Sequence, residues 1–156
     1  MRLSLTGVDD GPEPLSFEVT VSDGQLSTTN VPMVEIAVEN TGDETVSWSY
    51  AGSVSDLPFP QGVHDSETGG IVLGLREEVR AQLMDVSGGC ARVDQFARAD
   101  AIESTALEAN DRVERPYAIA GVGGELSGTC PPPDEYRMER ELGDVGIVGF
   151  EFDVER

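Results

Sequence analysis

Apolar and polar residues alternate one by one along short stretches through most of this chain. The clearest stretches are residues 15–21, 34–38 and 46–50, each followed closely by glycine, asparagine or aspartate. An alternation of period two is typical of a strand with one face on a core and the other in solvent. No stretch shows a convincing ten-residue helix or a βαβ rhythm. We therefore predict an all-β protein of seven to nine short antiparallel strands, arranged as a β-sandwich, with a barrel as the second choice.

Local signals refine this expectation. Residues 40–43, Asn-Thr-Gly-Asp, stand between two alternating stretches and predict a β-hairpin. Residues 76–84 contain good helix formers, but Val79, Ala81 and Leu83 alternate as well, and we favour a strand there. No linker or internal repeat divides residues 1–156, which predicts a single domain. Residues 1–14 are expected to add an edge strand or an N-terminal arm.

The chain carries 30 acidic residues and ten basic ones, and every basic one is an arginine. The formal net charge of −20 and the sequence pI near 4.1 would strain a compact domain through self-repulsion. Concentrated salt removes that strain, because the screening length falls to about 3 Å at 1 M. We interpret the composition as that of a protein from an extreme halophile, with an acidic, partly disordered chain as the alternative. The charge argues against nucleic acid and anionic membranes as partners.

Two cysteines, Cys90 and Cys130, both lie beside turn residues. Their spacing fits neither a CxxC motif nor a zinc site. We expect a disulfide between two loops, which implies an oxidising, extracellular setting. Two free buried thiols are the alternative.

The chain has no apolar run of eighteen residues, so we expect no membrane-spanning helix. The N-terminus lacks the apolar region of a signal peptide, so the chain is either cytoplasmic or a mature fragment. The expected location is extracellular or at the cell surface, with the cytoplasm as the alternative.

No residue is predicted to be catalytic, to ligate a metal or to hold a cofactor. His64 is the single histidine, and we interpret it as a solvated loop residue, although Asp65 and Ser66 beside it invite the idea of a triad. Three acidic pairs do not match the spaced ligands of a calcium loop and are read as solvated surface: Asp9-Asp10, Asp43-Glu44 and Asp134-Glu135.

The segment Leu57-Pro58-Phe59-Pro60 is the candidate for partner binding. Apolar residues between prolines either cap the end of a sandwich or form a partner-binding tip. Trp48 and Tyr50 share one face of a predicted strand and are expected in the core.

Four stretches carry a resemblance to a known family: residues 34–46, 62–72, 107–113 and 132–138. They resemble the strands and turns of the immunoglobulin-like domains of the intracellular proteinase inhibitor (BsuPI-like) family, although the usual proline and glycine at 107–113 and the glycine at 132–138 are absent. The chain is also similar to exported haloarchaeal sandwich domains whose cysteine pair is placed like the one here. The resemblance implies an immunoglobulin-like β-sandwich, and it makes Tyr136 the candidate for a tyrosine corner.

The function expected from these observations is that of a non-enzymatic, cell-surface or secreted interaction module of a halophilic archaeon. Recognition of a protein partner, or self-association, would use an edge strand or a loop. The first alternative is a proteinase-inhibitor-like protein that acts through an exposed loop. The second is a small hydrolase or metal-dependent enzyme.

Overall fold

The computed structural model describes residues 2–27, 30–52, 54–66, 69–84, 92–93, 101–122 and 134–155. The elements, in chain order, are β1 (Arg2–Val8), β2 (Leu15–Asp23), β3 (Met33–Asn40), β4 (Val46–Ala51), β5 (Gly62–Ser66), β6 (Gly69–Leu75), α1 (Arg76–Gln82), β7 (Leu83–Met84), β8 (Arg92–Val93), β9 (Ile102–Leu107), β10 (Arg112–Val122), β11 (Asp134–Glu141) and β12 (Ile147–Glu155). None of the helices in these ranges is long and apolar enough to cross a membrane.

The strands form three sheets, which confirms the all-β prediction. The largest has the order β2-β3-β10-β6-β5, and the short β8 pairs with both β10 and β7. A second sheet has the order β1-β12-β11, and β4 pairs with β9 alone in the third. Every described pairing is antiparallel except β8 with β10. Within the described ranges ten strands have five residues or more, slightly above the predicted seven to nine.

A single buried cluster joins the three sheets into a sandwich. It takes apolar side chains from the large sheet and from both smaller ones. Phe59 lies near its middle, with ring centroids 5.8 Å from those of Phe17 on β2 and Phe150 on β12. The two smaller sheets therefore form the layer opposite the large sheet, as expected for two sheets that share one core.

The outer face of the large sheet carries a second, smaller cluster. Ile71 and Leu73 of β6 belong to the main core, whereas Val72 between them packs with Val79 of α1. Both faces of β6 are therefore covered. This explains its continuous apolar sequence, which lacks the alternation of a half-exposed strand.

The predicted strand at residues 76–84 is wrong for most of its length, because residues 76–82 form α1. Val79 is the buried side chain of this helix, and Ala81, which seemed to continue a strand alternation, is exposed. Acidic residues in its first turn and Arg80 in its last suit the helix dipole. The helix propensity of these residues indicates the observed structure correctly, whereas the apparent alternation is too short to distinguish a strand from a helix.

The predicted hairpin at residues 40–43 is also wrong. β3 already has partners on both edges, β2 and β10, so it offers no edge to β4. β4 instead pairs with β9, in the opposite layer. Since β3 pairs with β10 and β4 with β9, the four strands make one antiparallel ribbon that bends from one layer into the other. Strands that switch sheets in this way form the corners of a sandwich.

Candidate functional site

The proposed partner-binding segment, Leu57, Pro58, Phe59 and Pro60, is buried along its whole length. The exposed fraction of Leu57 is 1% and that of Phe59 is 0%. Of the two alternatives, this burial matches a cap on the core and not an exposed partner-binding tip. Its apolar side chains fill space between the layers, and their removal from water stabilises the fold.

Two tyrosine hydroxyls hold this segment in place. The Tyr117 hydroxyl accepts a hydrogen bond from the Phe59 backbone N–H (3.2 Å) and donates to the Phe59 carbonyl. The Tyr50 hydroxyl accepts from the Leu57 N–H and donates to the Val54 carbonyl, both at 3.0 Å. Burial raises the pKa of Tyr117 far above its usual value, although the hydrogen bond with the Phe59 backbone acts in the opposite direction.

The candidate for a tyrosine corner, Tyr136, packs against an aromatic neighbour. It is buried on β11, and its ring stacks on Phe152 with centroids 5.6 Å apart. Hydroxyl-to-backbone bonds that fix a connection are made by Tyr50 and Tyr117. The sequence signal for Tyr117 was weak, because a tyrosine in an apolar strand looks like any packed aromatic residue.

The remaining candidates from the sequence are Trp48, His64 and the two cysteines. Trp48 is buried in the core as expected, and its indole Nε1 is a buried polar atom without a hydrogen-bond partner in the described part of the chain. His64 lies in strand β5 opposite Ile71, so its backbone is not in a loop. Cys90 and Cys130 lie outside the described residues.

The acidic pairs do not assemble into a metal site within the described ranges, where no three His, Cys, Asp or Glu side chains are placed to hold an ion. Asp9 instead binds the Arg137 guanidinium, which also contacts Glu139 and Glu151 at 3.1 Å each. We call these four residues the Arg137 cluster. It connects β11 and β12 with the segment that follows β1.

Strand β10 lies inside the large sheet, yet part of one of its edges, at the bend of the ribbon, is unpaired among the described residues. β3 pairs with β10 from Arg112 to Ala118, whereas β6 pairs with β10 only from Tyr117 onward. In the described structure no strand pairs with residues 112–116 on the side away from β3. We call residues 112–116 the open edge.

The polarity of this edge follows from Pro116. Pro116 lies opposite Glu35 in the β3–β10 register, and it has no N–H to donate, so its backbone position faces away from β3. Every second residue of an antiparallel strand faces the same side. Arg112 and Glu114 therefore also direct their backbone groups to the open edge. The Glu114 carbonyl there accepts a bond from Arg115 Nη1 at 3.0 Å.

A cleft of about 560 Å³ lies along the open edge and the adjoining end of β9. We call it the edge cleft. The Asp56 N–H closes one end by bonding the Ser104 carbonyl at 3.1 Å. The Arg112 guanidinium donates hydrogen bonds to Glu18 (2.9 Å) and Glu114 (3.2 Å). These bonds raise the pKa of Arg112, and the bond to Glu18 has the larger effect.

A second cleft, of about 430 Å³, lies where β6 ends and α1 begins. Its apolar walls come from Val54, Leu75 and Pro116, and its charged lining includes Arg76 and Arg115. Glu77 and Glu78 also line it. We call it the arginine cleft. Because Arg115 lines both clefts, they are neighbours on one surface.

Comparisons with known proteins give no relative for this chain. No family model, no curated protein and no solved structure matches it.

Proposed function

We propose that this chain is a non-enzymatic interaction module that binds an extended segment of a protein partner along the open edge. The observation that carries the proposal is the unpaired stretch of β10 from Arg112 to Pro116 beside a cleft large enough for a chain. An extended segment that adds to such an edge gains main-chain hydrogen bonds, and alternate side chains supply specificity.

The dimensions of the open edge set the size of the partner segment. Five residues of strand span about 17 Å. The backbone groups of Arg112 and Glu114 can each pair with the added strand, whereas Pro116 offers no donor. The Arg115 guanidinium, which now binds the Glu114 carbonyl, would share that carbonyl or move aside. A segment of about five residues therefore fits the open edge.

The side chains around the open edge protect it from indiscriminate pairing. Arg112 and Glu114 are charged residues of this stretch, and Glu18 holds the Arg112 guanidinium on the face of the sheet. Charged side chains on an edge strand discourage aggregation, because an incoming apolar strand would have to displace or bury them. The segment that binds must therefore tolerate charges, and we propose a polar, extended segment as the partner.

We also propose that the protein works at high salt outside the cell of a halophilic archaeon. The net charge of −20 and the use of arginine alone as the basic residue support the first part. The second part depends on a disulfide between Cys90 and Cys130. Alkylation of the intact, unreduced protein in concentrated salt, followed by mass spectrometry, tests it. Protected thiols support export, and two labelled thiols after denaturation contradict it.

The binding proposal is tested with two substitutions at one position. E114P removes an N–H donor from the open edge, and E114Q removes the same charge but keeps the donor. Binding of peptides selected from a random pool is measured by fluorescence anisotropy in about 3 M NaCl, where long-range attraction is screened. We expect E114P to weaken binding at least about tenfold, equivalent to about 1.4 kcal/mol, and E114Q to leave it within about twofold.

Light scattering on the free protein completes the test. A dimer that E114P dissociates and E114Q preserves would identify the added strand as a second copy of this chain. Equal peptide binding by E114P and the unmodified protein would contradict the proposal. So would a monomeric protein for which the pool yields no binding peptide.

A further inference from the structure

We infer that the arginine cleft binds a carboxylate joined to an apolar group, namely the C-terminal residue of a partner segment. The cleft combines two features that such a residue requires. Val54, Leu75 and Pro116 form an apolar wall, and Arg76 and Arg115 line the same cleft. The wall suits an apolar side chain, and the arginines suit the carboxylate beside it.

The two arginines of the cleft have no carboxylate partner within the described ranges. Across the described residues, no carboxylate oxygen lies within ion-pair distance of Arg76 or Arg115. Arg112 and Arg137, in contrast, each bind two or more carboxylates. Most of the five N–H donors on each guanidinium group of Arg76 and Arg115 are therefore left for a ligand.

A carboxylate is the ligand that best uses these donors. Guanidinium groups form paired, parallel hydrogen bonds with a carboxylate, and such bonds are shorter and stronger than neutral ones. They also act at contact distance, so they persist at salt concentrations that screen longer-range attraction. Glu77 and Glu78 line the same cleft and would repel an anion. The apolar wall must therefore contribute to binding, which excludes small hydrophilic anions as good ligands.

The volume of the cleft agrees with one residue of a peptide. About 430 Å³ lies near the lower limit of small-molecule sites. One branched apolar side chain with its carboxylate fits there, and a large cofactor does not.

This inference deepens the proposed function, because it names one end of the partner. Arg115 and Pro116 connect the arginine cleft to the open edge. A segment that fills both clefts with its C-terminal residue at the arginine cleft has to run parallel to β10. The test does not rest on strand pairing, since its probe is too short to form a strand.

The experiment is an NMR titration of the full chain with N-acetyl-leucine, which presents a C-terminal carboxylate beside an apolar side chain. N-acetyl-leucinamide is the matched neutral probe, and hexanoate is the matched free organic acid. We expect saturable shifts of the Arg76 and Arg115 side-chain signals with N-acetyl-leucine and none with the amide. R76Q and R115Q should each weaken binding about tenfold. R80Q removes an exposed arginine of the same helix that does not line the cleft, and it should leave binding unchanged.

Equal binding of the amide would overturn the assignment to a carboxylate. Equal or tighter binding of hexanoate would overturn the assignment to a peptide end. A loss of binding in R80Q as large as in R76Q would show a general effect of net charge and would also overturn it. If N-acetyl-leucine fails to bind while selected peptides bind in the manner expected of E114P and E114Q, the inference fails and the proposed function stands.

Discussion

Replacement of Tyr117 by phenylalanine isolates the hydrogen bonds that fix the capping segment at the core. The ring of Tyr117 is fully buried, and its hydroxyl makes two hydrogen bonds to the backbone of Phe59, which is also fully buried. Phenylalanine preserves the ring and creates almost no cavity. The substitution therefore leaves one backbone N–H and one carbonyl of Phe59 without the partner they have now.

The magnitude follows from these two groups. A buried polar group that loses its partner costs about 1–3 kcal/mol. Two neighbouring groups relax together, so we expect Y117F to lower the free energy of unfolding by about 2–4 kcal/mol. That is a large fraction of the total stability of an ordinary domain, about 5–15 kcal/mol.

Urea unfolding at constant high salt provides the measurement. Trp48 is the single tryptophan and is buried in the core, so its fluorescence reports the loss of the sandwich. At about 2 kcal/mol per molar urea, the expected loss shifts the midpoint by about 1–2 M with an unchanged slope.

Tyr50 provides a comparison, because its hydroxyl holds the same segment from β4. Its hydroxyl bonds the backbone of Val54 and Leu57, so Y50F and Y117F loosen one connection from two sides. The double variant should deviate from additivity by about 0.5 kcal/mol or more, as residues that share a structural unit do. A loss below about 0.5 kcal/mol in Y117F would refute the reasoning, because the Phe59 backbone would then have found other partners.

Three further predictions concern charge. The melting temperature should rise between about 0.1 M and 3 M NaCl, because screening reduces the self-repulsion of a net charge of −20; a falling temperature in calorimetry would contradict this. Because the pKa of Tyr117 is raised in the folded state, its contribution to the free energy of unfolding should be complete below about pH 10 and decline above it by up to about 1.4 kcal/mol per pH unit. The Y117F variant should not show this part of the decline when unfolding is measured against pH. R137Q leaves the three carboxylates of the Arg137 cluster without a counter-charge and should cost about 1–2 kcal/mol at low salt and less at high salt; an equal cost in both would argue against an electrostatic origin.

The sequence predicts the strands well because their signal is local. Along β2, buried and exposed side chains alternate from Leu15 to Thr20, and this is the pattern read from the chain. One face of a strand must meet the core, so its sequence carries that requirement whatever its partner is. The sandwich class follows from the number of such strands and their spacing.

The pairing of the strands is harder to predict from the sequence, because it depends on residues that are distant along the chain. The turn at residues 40–43 and the turn at residues 109–111 both look like ordinary connections between paired strands. Asn110 even adopts the positive φ, 67°, that is common in tight turns. Both turns instead join strands of different sheets. Neither cleft was predictable either, because each is assembled from three separate parts of the chain.

Asn40 explains why a hairpin signal produced a corner, and the end of β6 explains why an edge next to that corner stays open. Its fully buried amide donates to the carbonyls of Glu44 (2.7 Å) and Leu107 (3.0 Å) and accepts from the Gly42 N–H (3.0 Å). Its backbone bonds the turn at residues 109–111 from the other side. One side chain thus ties the end of β3 to the end of β9, so both strands of the ribbon have to leave the large sheet at the same point. β10 therefore begins in the large sheet beside β3 alone, while β6 meets it only from Tyr117 onward. The open edge lies between these two points, because β6 ends at Leu75, opposite Tyr117, and the chain continues as α1 instead of covering residues 112–116.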